Sequence, residues 1–214
     1  MVGIPPEPRS KTMSNHSIGI IGSGQIGAAI ARALTRSGLD VTLANRRGPD
    51  SLQGLVRELG PKARAGTVAD AAQADIVFVA VNWSKIPAAL QGLGPWDGRI
   101  VIDANNPLEA PTFTPFDLGG RGSTEVFAGF VPGARVVKAF NHLPPHLLSG
   151  DPRAEGGRRV LFLAGDERDA KATVSQLIGK LGFLPIDLGT LAQGGRLSQF
   201  PGGPLPALNL VKFG

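Results

Sequence analysis

The sequence predicts an α/β fold, a doubly wound and mainly parallel sheet, and three observations carry that expectation. Ile18-Gly19-Ile20-Ile21 is a short apolar strand that runs into Gly22-Ser23-Gly24-Gln25-Ile26-Gly27, and a helical run follows from Ala28 to Ser37. Asp75 to Val81 is apolar without alternation, as a central parallel strand covered on both faces requires. Further strands of this kind recur between segments with helical spacing along the chain. With 214 residues there is room for one sizeable domain and not for two comfortable ones. Residues 17–214 are therefore read as a single domain with a C-terminal extension, and residues 1–16 as a mobile tail.

The glycine turn is the most informative stretch. Gly22, Gly24 and Gly27 have the spacing G-x-G-x-x-G of a Rossmann-type dinucleotide site. The first glycine permits the tight turn, the second lets the backbone approach phosphate, and the third lets the helix pack closely on the strand. Free N–H groups and the helix dipole favour an anion there. Ile26, Ala29, Ile30, Ala33 and Leu34 recur at helical spacing after the turn, and Gly38 ends the helix.

Asp40 to Ala44 is the second strand, and it ends in Asn45-Arg46-Arg47. In a dinucleotide fold this point, roughly 20 residues past the glycine loop, meets the adenosine ribose. An acidic residue there grips the ribose 2′-OH and repels a 2′-phosphate. An amide and two forked guanidinium groups suit phosphate oxygens instead, so NADP(H) is expected over NAD.

Pro49 to Leu59 reads as a second helix, Ala63 to Gly66 as a third strand, and Thr67 with Asp70 as the cap of a brief helix. Val81, Asn82 and Trp83 lie at and beyond the carboxyl end of the Asp75–Val81 strand, where ligands lie in such sheets. Trp83 reads equally as a wall of the nicotinamide pocket and as packing at a helix start. The helix Ser84–Leu93 follows. Arg99 to Asp103 is the fifth strand; Asn105, Asn106 and Pro107 leave its end as contacts to cofactor or substrate, or as turn residues. Leu108 to Gly122 is irregular, a lid over the site. Ser123 opens a helix through Phe130.

Arg135 to Phe140 is the sixth strand and delivers Asn141 and His142. Lys138, inside it, reads as an outward-facing side chain without a catalytic role. Arg159 to Ala164 is a further strand and Asp166 to Leu181 a helix. Phe183 to Leu188 is a last strand, with Pro185 pointing to a sheet edge. The tail from Gly189 to Gly214 carries Leu205, Leu208, Leu210, Val211 and Phe213, apolar surface expected to be buried, including against a second subunit.

Composition narrows the chemistry. The chain has no cysteine and no tyrosine, which excludes disulfides, thiolate catalysis, cysteine-bound metal and the Tyr/Lys pair of short-chain dehydrogenases. Only three histidines are present, so no metal site is expected. The net charge of +5 comes from dispersed arginines without interleaved aromatics, which supports an anionic cofactor rather than nucleic acid. No apolar run reaches the length of a membrane span and the N-terminal residues lack a signal-peptide core, so a cytoplasmic protein is expected.

Three segments resemble one family: Ile18 to Arg47, Val136 to Leu148 (Val-Val-Lys-Ala-Phe-Asn-His-Leu-Pro-Pro-His-Leu-Leu) and Leu163 to Leu191. The chain resembles the NADP oxidoreductases that act on a deazaflavin coenzyme (coenzyme F-420). It is also similar to the NADPH-binding domain of the metalloreductases called six-transmembrane epithelial antigens of prostate. The resemblance implies that Ser23, Gln25 and Ile26 bind pyrophosphate, that Asn45 and Arg46 hold the 2′-phosphate, and that Asn141, His142 and Leu143 lie near the nicotinamide. It implies hydride transfer between NADP(H) and a deazaflavin, flavin or similar small acceptor, without a protein acid or base; the apolar tail, separately, points to a homodimer. Two alternatives stand beside it: a reductase of a small imine or carbonyl, with His142 as proton donor, and a non-catalytic NADPH-sensing module.

Overall fold

A computed structural model of the chain describes residues 16–154 and 156–214. The tail expected over residues 1–16 lies, His16 apart, outside the described residues. The first half alternates strand and helix: β1 (Ile18–Ile21), α1 (Gln25–Arg36), β2 (Val41–Ala44), α2 (Gln53–Leu59), β3 (Ala63–Ala65), α3 (Val68–Ala72), β4 (Ile76–Val79), α4 (Ile86–Leu90) and β5 (Ile100–Asp103). A two-stranded hairpin, β6 (Leu108–Glu109) and β7 (Thr114–Pro115), precedes α5 (Ser123–Ala128) and β8 (Arg135–Ala139). The second half adds α6 (Pro145–Ser149), β9 (Arg153–Ala154), β10 (Gly157–Gly165), α7 (Arg168–Lys180), β11 (Leu184–Asp187) and β12 (Val211–Lys212).

The main sheet has ten strands, in the order β11-β10-β8-β5-β4-β1-β2-β3, with β9 and β12 also pairing to β10. From β3 to β8 every neighbour is parallel. Strand order reverses between β1 and β4, the switch point at which a doubly wound sheet opens a crevice at its carboxyl edge. β10 then runs antiparallel to β8, and β11 parallel to β10. β11 is the sheet edge that Pro185 indicates.

Both faces of the sheet are covered, which is why the strands lack alternation. Ile20, Ile30, Leu34, Phe78 and Ile102 belong to one buried cluster with residues of α1 and α7, and Val77, Val79, Ile86, Trp96, Val101 and Phe127 to the other. Helix ends follow local chemistry. Gly38, at φ +77°, follows α1, and the N–H of Leu39 returns to the Leu34 carbonyl at 3.1 Å. Thr67 and Asp70 form a reciprocal capping box at α3.

Several boundaries differ from the sequence expectation. The helix expected over Pro49–Leu59 opens with a 3-10 turn at Pro49–Leu52, and the one expected over Ser84–Leu93 is a 3-10 turn at Trp83–Lys85 followed by α4, which ends at Leu90. The segment 108–122 holds the β6–β7 hairpin. α6 starts at Pro145, a residue suited to a first helical turn. The Phe183–Leu188 strand is not the last, because β12 pairs with β10. Of the tail's apolar side chains, Leu205 and Val211 are half-buried within the chain, while Leu208, Leu210 and Phe213 are 40%, 42% and 58% exposed.

Gly19 lies inside β1, and a Cβ there would sit 2.0 Å from the Ala71 carbonyl oxygen of α3. Gly19→Ala should therefore push α3 off the sheet and lower stability by roughly 1–3 kcal/mol. A thermal melt shifted down by several degrees is the expected readout.

Candidate functional site

The crevice is built from the glycine turn upward. Gly22 has φ +113°, a conformation that favours glycine, and its N–H donates to the Ala44 carbonyl at 2.9 Å. A Cβ on Gly22 would lie 2.0 Å from the Ala80 carbonyl oxygen, and one on Gly27 would lie 2.0 Å from the Gly22 carbonyl oxygen. These two glycines are demanded by close approach of strands and helix. Gly24 differs: a Cβ there would meet nothing within 4 Å. The chain's own packing does not require glycine at that point, and the open space beside it fits a phosphate that approaches the backbone. The first intrahelical bond of α1 is Ala28 N–H to the Gly24 carbonyl, so the N–H groups of Gln25, Ile26 and Gly27 lack a helical acceptor. A dinucleotide pyrophosphate fits this turn.

At the end of β2, Asn45 is a brace. Its Nδ2 donates to Ser23 Oγ at 2.9 Å, while its Oδ1 accepts from the Arg47 N–H at 2.8 Å and from Ser51 Oγ at 3.1 Å. The Arg46–Arg47 turn is thereby tied to the glycine turn. Both arginines are exposed, and among the described residues neither side chain makes a hydrogen bond or ion pair. Their guanidinium groups stand ready for an external anion.

At the ends of β4 and β5, Asn82 is exposed and Val81 half-buried, and the Val81 N–H donates to Asn105 Oδ1 at 2.8 Å. Asn105 is buried, and each of its polar atoms has an internal partner. Its N–H and Nδ2 donate to Asp103 Oδ1 at 3.0 and 2.9 Å, and its carbonyl accepts from Lys138 Nζ. Asp103 Oδ2 accepts from Thr124 Oγ1 at 2.7 Å and from Lys138 Nζ at 3.1 Å. Lys138 therefore does not face outward. It is fully buried, because β8 pairs with β5 in a register that sets Lys138 beside Asp103 on the same face. Burial pushes its ammonium below the usual lysine range, and the Asp103 carboxylate opposes that shift.

Asn106 and Asn141 bring the ends of β5 and β8 together: Asn106 Nδ2 donates to the Asn141 carbonyl at 2.8 Å, and Asn141 Nδ2 donates to Asn106 Oδ1 at 3.0 Å. The C-terminal segment crosses over them. Phe200 N–H donates to Asn106 Oδ1 at 3.1 Å, Asn141 Nδ2 to the Ser198 carbonyl at 2.6 Å, and Ala207 N–H to the His142 carbonyl at 2.7 Å. Beneath this strap, Asn141 Oδ1 and Ser123 Oγ are buried without a partner, and the buried His142 ring has no close hydrogen bond, only a weak approach to the Val160 backbone. Trp83 packs in the core cluster of Val79 and Ile86, and Leu143 in the opposite cluster with Ile30 and Phe140. Pro107 is buried beside Asn106.

Asp103, Thr124, Ser123 and Ser198 were not among the residues singled out from sequence. A visible signal existed for two members of the buried network: a carboxylate closing Ile-Val-Ile-Asp and a lysine inside Val-Val-Lys-Ala-Phe. Only the β5–β8 register makes them a pair.

The fold and this crevice define a Rossmann-type dinucleotide-binding domain of the oxidoreductase class. Residues 17–107 match the family described as NADP oxidoreductase, coenzyme F420-dependent. The solved structure of hypothetical protein SMa0349 from Sinorhizobium meliloti is 47% identical and aligns with a TM-score of 0.87, over 92% of this chain and 95% of that one. A putative F420-dependent NADP-reductase from an Arthrobacter species is 29% identical, with a TM-score of 0.70, over 83% and 86% of the two chains. Metalloreductase STEAP3 of Rattus norvegicus is 32% identical over 194 residues, which is 89% of this chain and 37% of that protein. Residues 17–107 thus carry the match to this NADP oxidoreductase family, and the chain spans less than two fifths of the curated metalloreductases it matches. Among the described residues no helix is long and apolar enough to cross a membrane.

His142 generates a pH prediction. Burial lowers its pKa to about 4, only partly offset by the Val160 backbone, and its ring tilts against Phe162 with centroids 4.8 Å apart. Below the ordinary value of 6.5 the unfolded histidine takes a proton and the folded one does not, so the unfolded state binds more protons between pH 6.5 and about 4. The stability contributed by the neutral ring is complete above that window and is lost as pH falls through it, by about 3 kcal/mol in all. Denaturant titrations at pH 7, 5.5 and 4 should show this loss in the wild type and a flatter profile in His142→Phe; parallel profiles would contradict it.

Proposed function

We propose that the chain binds NADP(H) along the carboxyl edge of the sheet and exchanges hydride with a deazaflavin, flavin or similar small acceptor. The observation that carries this reading is the joined pair of turns: an open Gly24 with unbonded helix amides, held by the Asn45–Ser23 hydrogen bond against two unpaired guanidinium groups. Gly22, Ser23, Gly24, Gln25, Ile26 and Gly27 take the pyrophosphate, and Asn45, Arg46 and Arg47 hold the 2′-phosphate. Val81 and Asn82, with Asn105 and Asn141, frame the nicotinamide end. Asn106, Pro107 and His142 shape the acceptor side, with Trp83 and Leu143 supporting it from the two core clusters rather than facing the acceptor.

When bound, NADPH supplies the hydride, and the protein contributes alignment of donor and acceptor at about 3–3.5 Å. A neutral environment suits that task. Burial holds the His142 ring well below the ordinary histidine range, so it is neutral at pH 7, which disfavours it as the proton donor of an imine or carbonyl reductase. The Asp103 and Lys138 charges face each other within the core rather than the crevice.

The exposed Leu208, Leu210 and Phe213 support a homodimer through the C-terminal segment, which a molar mass measured by light scattering tests.

NADPH oxidation followed spectrophotometrically against deazaflavin, FMN, FAD and a carbonyl and imine panel tests the acceptor. Tight NADPH binding without turnover on any of them would favour the sensing module. Arg46→Ala should weaken NADPH by ~1.5–3 kcal/mol and leave NADH nearly unchanged, as loss of a charge-assisted hydrogen bond to the 2′-phosphate predicts. Gly24→Val should remain folded, with a melting temperature lowered only slightly, since a Cβ there meets nothing within 4 Å, and lose both nucleotides in a titration.

A further inference from the structure

The network below the crevice has a feature that stability alone does not explain. Asp103 and Lys138 are both 0% exposed, with Lys138 Nζ 3.1 Å from Asp103 Oδ2. Burying such a pair costs desolvation that its mutual attraction does not reliably recover, and well-packed apolar side chains commonly serve stability as well or better. What the pair delivers is orientation. The Asp103 carboxylate accepts four hydrogen bonds, from Lys138, Thr124 and twice from Asn105. A carboxylate only accepts, so the Asn105 amide must turn Nδ2 toward Asp103 and Oδ1 away from it. That oxygen then meets the Val81 N–H at 2.8 Å. Lys138 clamps the same residue from the other side through the Asn105 carbonyl.

Val81 leads directly into Asn82, whose carbonyl accepts from the Lys85 N–H at 2.8 Å to close the Trp83–Lys85 turn. We propose that Asp103 and Lys138 are positioning residues that set the Asn105 amide and, through it, fix the Val81–Asn82 turn against which the nicotinamide end of the cofactor rests. The proposal rests on the NADP(H) reading above. It assigns Asn105 an indirect role, because its side chain is committed to Asp103 and Val81. It also assigns a function to Lys138 that involves neither substrate nor proton transfer.

Two ligands separate positioning from general support. NADPH contains the nicotinamide, and 2′-phospho-ADP-ribose is the same molecule without that ring. Two variants of the full chain are compared with wild type: Asn105→Ala, and the double variant Lys138→Met with Asp103→Leu, in which both buried charges leave together so that neither is stranded. Melting temperatures establish that each is folded. In both variants NADPH should bind about tenfold more weakly, while 2′-phospho-ADP-ribose stays within about twofold of wild type. Amide hydrogen exchange at Val81 should accelerate in both. Equal weakening of the two ligands, or none, would overturn the positioning role while leaving the cofactor reading intact. A wild-type chain that binds neither ligand would overturn the cofactor reading itself.

Discussion

Two backbone approaches of β1 and the turn after it carry the rest of the structure. The space a Cβ on Gly22 would need is taken by the Ala80 carbonyl of the neighbouring strand end, and the space on Gly27 by the Gly22 carbonyl. With side chains at either point, α1 could not sit close to the sheet and β4 could not close on β1. The crevice at the switch point exists because these segments meet backbone to backbone. Gly24, a few residues away, meets nothing and leaves its surface to solvent. One short motif thus contains glycines of two kinds: two fill a tight interior junction and one leaves an exterior opening.

Much of this was legible in the sequence because it is local. The strand–turn–helix unit, the Gly38 terminus, the Thr67–Asp70 box and the edge position of the Pro185 strand each depend on residues within a few positions of one another. Helix ends were read less well where 3-10 turns begin them, as at Pro49 and Trp83, since their apolar spacing merges with that of the following helix. α6 is not legible in the sequence because Leu-Pro-Pro-His gives no periodic pattern, although proline is tolerated in a first turn.

The non-local part of the site was not legible. Lys138 reads as an outward side chain when β8 is considered alone. Its burial follows from the pairing of Val101 with Val136 and Asp103 with Lys138, a register that joins residues 35 positions apart. The strap over Asn106, Asn141 and His142 is equally non-local: a proline- and glycine-rich tail gives no periodic signal, and its backbone is held by single hydrogen bonds to the Asn106 and Asn141 side chains and the His142 carbonyl, about 60 to 95 positions earlier. Glu125, which caps α5 by accepting the Gly122 N–H at 2.7 Å, also meets Arg196 at 3.1 Å and so ties that tail to the same end of the sheet.

Charge is distributed unevenly along the crevice, and the distribution matches the chemistry of the two ends. At the end of β2, Arg46 and Arg47 are exposed and, among the described residues, their side chains are unpaired, where the proposed reading puts the additional phosphate. At the other end, Asp103 is neutralised by Lys138, and burial keeps His142 uncharged at neutral pH. A hydride carries its electron pair with it, so nearby fixed charge would favour one side of the transfer over the other. Under the proposed reading, amide side chains and a neutral imidazole would leave that balance to the hydride donor and acceptor themselves, and a buried ion pair would contribute shape to the site without contributing field.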